Sequence, residues 1–198
     1  MKKEILNRAM EAFAIEAESL AATASVLDPA QFEAAAKALA KAKRIGAAGC
    51  GHTGIACQHF THLMCCIERP ARFISPAEAV HGGLGFIQKG DVMLLASRGG
   101  KTDELMPIAD VCRRKGAIII GVTENLSSPL AEKSDIVLAM KVTRECDRYN
   151  CQGTTSFAVT CAIFDALQTA VMEITGFQNE KFAVIHPGGA VGKRLNAK

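Results

Sequence analysis

The sequence lacks the patterns that mark membrane proteins and nucleic-acid binders. Its formal net charge is only +3, and no run of about five or more like charges occurs, which argues against a nucleic-acid footprint and a polybasic membrane patch. We find no apolar run of transmembrane length. The N-terminus leads into an acid-containing helical pattern instead of a signal-peptide core. These absences predict a cytoplasmic protein that binds neither nucleic acid nor a membrane.

No C-x-x-C spacing occurs among the eight cysteines, so a zinc ribbon is not expected. Disulfides are not expected either, because the cytoplasm is reducing. His59 and His62 lie near Cys65 and Cys66 in one helical pattern, where residues three or four apart share a face. A metal site there is one interpretation. We favour the other, a packed amphipathic helix with histidines at its polar edge.

What the sequence does contain is a hydrophobic share of 49% over 198 residues, which suits one domain with a substantial core. Two helical patterns come first, over residues 3–25 and from Pro29 onward. Asp28 is the predicted N-cap of the second, and Gln31 completes a capping-box-like pattern. Short apolar segments then alternate with helical ones. The predicted strands are 44–48, 71–74, 92–96, 118–122 and 136–140, and the predicted helices are 54–66, 103–115 and 155–175.

This alternation predicts an α/β fold, a parallel sheet with helices on both faces. We see no repeat, low-complexity segment or linker, and therefore expect a single domain over 1–198. Within it, 1–42 would form the N-terminal helices, and 43–198 the α/β core and C-terminal tail. In such sheets, ligands bind beyond the carboxyl ends of the strands, where the strand order reverses.

The loop after the predicted strand 92–96 has the composition of a phosphate cup. It reads Ser97, Arg98, Gly99, Gly100, Lys101 and Thr102. Glycines let backbone N–H groups turn inward, a helix start adds partial positive charge, and the side chains supply hydroxyls and cations. The alternative is an ordinary strand-to-helix turn with Thr102 as N-cap. The pattern alone leaves both interpretations open.

A second glycine-rich loop ends the first strand, and residues 49–54 match G-x-G-x-x-G. A dinucleotide site would need an acidic residue at the tip of the second strand, but Ser75 follows Ile74 there. This disfavours NAD. Two such loops side by side would instead cradle one small anion.

Three further residues have side chains suited to proton transfer. His81 lies in a glycine-containing loop, where it could donate to a substrate oxygen or simply bridge the loop. Glu145 follows the fifth strand, where a general base could lie; if walled from water, its pKa would rise. His186 precedes Pro187 in an unusual glycine-rich tail.

Taken together, these segments resemble the sugar isomerase (SIS) domain and, within it, the arabinose-5-phosphate isomerases. The resemblance runs from about residue 44 to residue 195. Its most specific parts are 76–85 (PAEAVHGGLG) and 186–195 (HPGGAVGKRL), with support from 49–54, 97–104 and Glu145 followed by 154–156.

The resemblance implies a three-layer α/β/α sandwich with a five-stranded parallel sheet of the flavodoxin-like type, preceded by N-terminal helices. It also implies a homodimer or homotetramer with sites at subunit interfaces. The reaction would be aldose–ketose isomerisation of a sugar phosphate through a cis-enediol, with no required metal or organic cofactor. The catalytic positions would be Glu104, Glu145, His81, His186 and His52, and the substrate-binding positions Gly51, Thr53 and the six residues from Ser97 to Thr102.

Departures from the family pattern keep alternatives open. The isomerases carry Lys where this chain has His52, and Ser-Asn-Ser-Gly-Glu-Ser where it has residues 97–102. The CBS modules that often follow the domain have no counterpart, and we expect a chain without them. One alternative is another SIS isomerase, of the 6-phospho-3-hexulose type. The other is a non-catalytic sugar-phosphate sensor.

Overall fold

The computed structural model describes residues 2–197, and Met1 and Lys198 lie outside the described residues. Its centre is a five-stranded, fully parallel sheet in the order β2-β1-β3-β4-β5. The strands are β1 (Ile45–Ala48), β2 (Ala71–Phe73), β3 (Val92–Ala96), β4 (Ile118–Thr123) and β5 (Ile136–Ala139). Each differs from its predicted bounds by at most one residue at an end. The predicted α/β class is confirmed, and this order places the reversal between β1 and β3.

Helices cover both faces of the sheet. They are α1 (Lys2–Val26), α2 (Pro29–Lys41), α3 (Gly51–Cys66), α4 (Pro76–Ala79), α5 (Met106–Lys115), α6 (Pro129–Lys133), α7 (Thr155–Thr175), α8 (Asn179–Ile185) and α9 (Gly189–Asn196). Short 3-10 helices lie at Gly83–Phe86 and Asp103–Leu105.

Alternation along each strand divides the apolar core between the two faces. In β3, Leu94 points into the cluster formed with α2, α3 and α7, while Met93 and Leu95 point into the cluster formed with α5 and α6. Every residue of β3 is buried, as expected for a parallel strand covered on both sides. The result is the predicted three-layer α/β/α sandwich.

The start of α2 confirms one sequence prediction and corrects another. Asp28 is the N-cap, and its carboxylate accepts hydrogen bonds from the N–H groups of Ala30 and Gln31, at 2.7 and 3.1 Å. The Gln31 side chain does not complete a capping box. Its amide oxygen accepts from the N–H of Val137 at 2.9 Å, because α2 lies beside the edge strand β5, whose outer backbone groups need partners.

The apolar helix α7 corrects the prediction that no segment reaches transmembrane length. By length and composition alone, Thr155–Thr175 would suffice to cross a bilayer. Its residues Val159, Phe164 and Leu167 are fully buried in the core cluster beside α2 and α3. A core helix satisfies the same length and composition test, so α7 is explained by this packing.

Residues 179–196 form two short helices where the sequence indicated only a glycine-rich tail. The Asn196 side chain donates to the carbonyl of Ala183 at 3.1 Å and joins α9 to α8. Gly192 is needed at their contact, since an added Cβ would lie 2.4 Å from the carbonyl oxygen of His186. Of the three glycines in the tail, Gly192 therefore serves close packing, whereas an added Cβ at Gly188 or Gly189 would meet no atom within 4 Å.

Candidate functional site

The crevice lies at the carboxyl edge of the sheet, between the loops that follow β1 and β3. A cavity of about 580 Å³ opens there, which we call the Glu104 cavity. One side is formed by Gly49, Cys50 and Gly51, and Glu104 lies on another. Its remaining lining is mostly apolar: Gly54, Gln58, Phe73, Ser75, Pro76, Ala77, Val80 and Pro107. This is the position at which doubly wound sheets bind ligands.

The first glycine loop turns directly into α3. Gly51 has φ +56°, a left-handed conformation that favours glycine. Gly54 lies against the backbone, since an added Cβ would be 2.7 Å from the carbonyl oxygen of Gly49. Gly51 and Thr53 lie in the first turn of α3, where the helix dipole favours an anion. The loop therefore has the form expected of half an anion cradle.

His52 is exposed on that first turn and leans towards the start of α7. The Cβ of an alanine at Gly153 would lie 3.0 Å from His52 Nδ1. The His52 ring also meets the Phe157 ring edge-on, with centroids 6.4 Å apart. His52 is thus placed beside the segment that holds Glu145.

The second loop, Ser97–Thr102, is fixed from within. The hydroxyls of Ser97 and Thr102 are 2.8 Å apart, and Ser97 Oγ accepts from the Gly100 N–H at 3.1 Å. Thr102 is not a side-chain N-cap for the 3-10 helix that follows, in contrast to the ordinary-turn interpretation. Its hydroxyl instead joins the two ends of the cup.

The cations of this loop have different surroundings. Lys101 is exposed and forms no ion pair with any residue between 2 and 197. Arg98 is engaged twice: its Nε donates to Glu124 at 2.9 Å and its Nη1 to Glu145 at 2.8 Å. A second cavity, of about 340 Å³, is lined by Arg98, Gly99, Lys101, Glu124 and Asn125; we call it the Lys101 cavity.

Glu145 is buried, but the expected rise of its pKa does not occur. Burial alone would raise the pKa, yet hydrogen bonds from Ser156, the charge of Arg98 and the Thr154 hydroxyl outweigh it and hold the pKa below its ordinary value. Its Oε2 accepts from the N–H groups of Thr154 and Ser156 at 2.9 and 3.1 Å. Glu145 is therefore a fixed anion at the start of α7.

Glu104 contrasts with Glu145 in its exposure and in its ion pairing. It is exposed, faces the Glu104 cavity and forms no ion pair within residues 2–197. Cys50 lies close to Glu104. Burial, together with the charge of Glu104, raises the pKa of the Cys50 thiol. Glu104 is thus the carboxylate that a ligand in this cavity would meet.

The structure separates the remaining two histidines from this group. His81 is exposed in the turn after α4, and it does not line the Glu104 cavity. His186 ends α8 and lies in a different cavity with Cys65, Pro70 and Phe182. Pro70 precedes β2, so this cavity is at the amino edge of the sheet. Within one chain, His186 is at the opposite edge from Glu104.

His59 and His62, the two histidines in the second half of α3, were the candidates for a metal site. His59 pairs with Asp165 on α7 at 3.1 Å. Within residues 2–197, no three His, Cys, Asp or Glu side chains converge as a metal site would require. The packed-helix interpretation accounts for His59.

Two residues of the site were missed at the sequence level. Cys50 lies inside the first glycine loop and lines the Glu104 cavity. The G-x-G-x-x-G motif assigns no function to the side chain at this position. Glu124 follows β4 directly, and the rule that ligands meet carboxyl strand ends could have singled it out. In the structure, Glu124 accepts hydrogen bonds from Arg98 Nε at 2.9 Å and from the Val142 N–H at 3.1 Å.

Comparison with known proteins identifies the family of this fold. The SIS domain family model matches residues 38–170, and the chain belongs to this family. Arabinose 5-phosphate isomerase KdsD of Pseudomonas aeruginosa is 38% identical over 160 residues, which cover 81% of this chain and 49% of that protein. The chain spans about half the length of the curated relatives it matches first.

Two solved structures superpose on this chain over nearly their whole length. A candidate sugar-phosphate isomerase from Listeria monocytogenes superposes with a TM-score of 0.90 at 37% identity, covering 95% of this chain and 99% of that one. A protein of Escherichia coli CFT073 in complex with arabinose 5-phosphate gives a TM-score of 0.86 at 25% identity, covering 94% and 100%.

Proposed function

We propose that this chain is an aldose–ketose isomerase of a sugar phosphate, similar to the arabinose-5-phosphate isomerases. The observation that carries the proposal is Glu104, an unpaired carboxylate within residues 2–197, in a cavity at the β1/β3 reversal. The glycine loops beside it have the form of an anion cradle. The named relatives and the structure with bound arabinose 5-phosphate support the substrate class.

Glu104 is the proposed base. Isomerisation removes the proton from the carbon beside the substrate carbonyl, which gives a cis-enediol, and returns a proton to the neighbouring carbon. A carboxylate can carry that proton in both directions. The change also moves a proton from one substrate oxygen to the other, and His52, His81 or His186 would serve this second transfer. No step needs a redox partner, because the carbon skeleton neither gains nor loses electrons overall.

The phosphate would bind at the Ser97–Thr102 loop. Lys101 supplies an uncommitted charge, and the helix start after β1 supplies Gly51 and Thr53. Glu145 belongs to the same site as a fixed anion that holds the loop at the start of α7. Its depressed pKa makes it a poor proton acceptor, so Glu104 is favoured over Glu145 as the base.

Isotope exchange tests the proposal. Pentose and hexose phosphates are incubated with the protein in deuterated water and followed by NMR. We expect isomer formation with deuterium at the carbon beside the carbonyl. Glu104→Gln should lower kcat by about 10²- to 10⁴-fold, the range typical of a lost general base, with a much smaller change in KM.

Asp103→Asn is the matched control, an exposed neighbouring acid outside the lining of the Glu104 cavity. It should retain turnover. Full turnover by Glu104→Gln would remove Glu104 from the mechanism. Thermal protection by a sugar phosphate without exchange or turnover would instead identify a sensor.

The proposed assembly is a homodimer or homotetramer in the cytoplasm with shared sites. Along α1, Ile5, Met10 and Phe13 are exposed by 65%, 58% and 68%. An apolar stripe of this size on one helix is typical of a contact surface. A second copy could also supply the His186 that one chain keeps at the far edge of its sheet.

A further inference from the structure

One guanidinium joins the carboxyl ends of three neighbouring strands. Arg98 follows β3, and its side chain reaches Glu124 after β4 at 2.9 Å and Glu145 after β5 at 2.8 Å. A third, longer contact of 3.5 Å runs to the carbonyl of Val142. Arginine suits this role because its planar fork can hold two acceptors in fixed directions. We call this group the Arg98 clasp.

The charge of Arg98 is already matched inside the clasp. The guanidinium carries one positive charge and contacts two carboxylates. One of these, Glu124, also pairs with Lys141, whose Nζ lies 3.7 Å from Glu124 Oε1. A phosphate that approached Arg98 would face Glu124, which lines the same cavity. Lys101 lines this cavity too, but unlike Arg98 it forms no ion pair with Glu124 or with any other residue between 2 and 197. The two cations of this loop are therefore suited to different functions.

Glu145 connects Arg98 to the start of α7. Its Oε1 accepts from Arg98, while its Oε2 accepts from Thr154 N–H, Ser156 N–H and the Thr154 hydroxyl, the last at 3.2 Å. Anions are stabilising at a helix start. Gly153, next to Thr154, packs against His52 on the first loop. A continuous chain of contacts thus runs from the Ser97–Thr102 loop through Glu145 to the first glycine loop.

From this geometry we infer that Arg98 is a positioning residue, which acts through Glu145 to align the phosphate loop with the start of α7, and that Lys101 is the cation of the loop that binds phosphate. The inference rests on the proposed function in taking a sugar phosphate as the ligand. It goes beyond that function in dividing the two cations of one loop between separate tasks.

The test compares Arg98→Met with its loop neighbour Lys101→Met. Inorganic phosphate and the substrate identified by NMR are titrated calorimetrically. We expect Lys101→Met to weaken phosphate binding by about tenfold or more, as for a lost charge-assisted contact, and Arg98→Met to change it by less than about threefold. Arg98→Met should instead lower kcat, because His52 and the phosphate loop lose their common anchor.

A second readout does not require turnover. Glutamate carboxyls are labelled with ¹³C, and the Glu145 signal is identified by its loss in Glu145→Gln. In the intact protein the pKa of Glu145 lies below its ordinary value, partly through the charge of Arg98. Arg98→Met should raise this pKa and speed amide exchange at Thr154 and Ser156, whereas Lys101→Met should change neither.

Either readout can overturn the inference. It fails if Arg98→Met weakens phosphate binding as much as Lys101→Met does, or if the Glu145 titration and the exchange at Thr154 and Ser156 stay unchanged. If Arg98→Met does not fold, Arg98→Lys is tested in its place, because lysine keeps the positive charge but lacks the planar guanidinium that binds two acceptors. It should bind phosphate normally and still lose kcat. If the intact protein binds no phosphate, the proposed function fails, and the titration and exchange alone decide the role of Arg98.

Discussion

At the scale of the single residue, Gly100 and Gly99 are adjacent, chemically identical and differently constrained. Gly100 has φ +66°, and an added Cβ would lie 2.0 Å from the hydroxyl of Ser128. Ser128 is itself buried as the N-cap of α6. Gly99 has no atom within 4 Å of its built Cβ. The Ser97–Thr102 loop therefore depends on one glycine and tolerates change at the other.

We expect Gly100→Ala to lower the free energy of unfolding by about 2–4 kcal/mol, because left-handed strain and overpacking add. Gly99→Ala should stay within about 0.5 kcal/mol of the parent. Urea denaturation of both variants measures the difference. Equal stabilities would show that the loop relaxes around the new methyl group.

Residue types in the site could be read from the sequence, but their partners could not. The sequence indicated a cup at 97–102 and a carboxylate at Glu145. It assigned Arg98 to an incoming anion, whereas the structure pairs Arg98 with two protein carboxylates from other strands. Those contacts lie 26 and 47 positions away along the chain. Local patterns cannot specify them, so the pKa of Glu145 was expected to move in the wrong direction.

At the scale of the element, α1 completes the edge of the molecule beside β5. Thr23 Oγ1 donates to the carbonyl of Lys141 at 2.9 Å and accepts from its N–H at 3.0 Å. Ser19 Oγ lies 3.0 Å from the Thr143 hydroxyl and accepts from the Thr143 N–H at 3.1 Å. The side chains of a helix thus satisfy the backbone that follows an edge strand. This backbone leads directly to Glu145.

We expect Thr23→Val to destabilise the protein by about 1–3 kcal/mol, because the N–H and carbonyl of Lys141 lose their partner. Amide exchange at Lys141 should accelerate. Ser25→Ala is the control in the same helix, since the Ser25 side chain is exposed and, among residues 2–197, its hydroxyl bonds only to the carbonyl of Ala22 in its own turn. Hydrogen exchange followed by mass spectrometry separates the two. Unchanged exchange at Lys141 in Thr23→Val would contradict the role given to α1.

The strands were predictable because each is a short apolar run between turn residues. In β3 all positions are buried, so no alternation was needed to recognise it. The helices α8 and α9 were not predictable in the same way. They have seven and eight residues, and their buried residues are only Ala183 and Gly192. A helix with so little apolar periodicity leaves almost no signal.

At the scale of the whole molecule, the position of His186 decides whether this histidine can act in the same site as Glu104 of its own chain. His186 lies at the amino edge of the sheet and Glu104 at the carboxyl edge. One chain cannot place both on one substrate. If His186 is catalytic, each site must combine two chains.

Mixing two inactive variants tests this arrangement. Glu104→Gln and His186→Asn are expected to be inactive alone, and co-expressed hybrids should regain part of the turnover, because some sites then contain both intact residues. Light scattering after size exclusion should show an oligomer for every sample. Inactive hybrids within a confirmed oligomer would contradict a shared site. An active His186→Asn variant would remove His186 from the mechanism.

The Glu145 loop also carries an intrinsic reporter. The chain has no tryptophan and a single tyrosine, Tyr149. Tyr149 is 68% exposed, and the guanidinium of Arg148 stacks 4.5 Å from the centre of its ring. It lies between Asp147, which holds this loop together, and Asn150, whose side chain accepts from the Glu145 N–H. Tyrosine emission from the unlabelled protein therefore comes from one position, and a change on adding a sugar phosphate would be an optical signal from the loop beside the clasp.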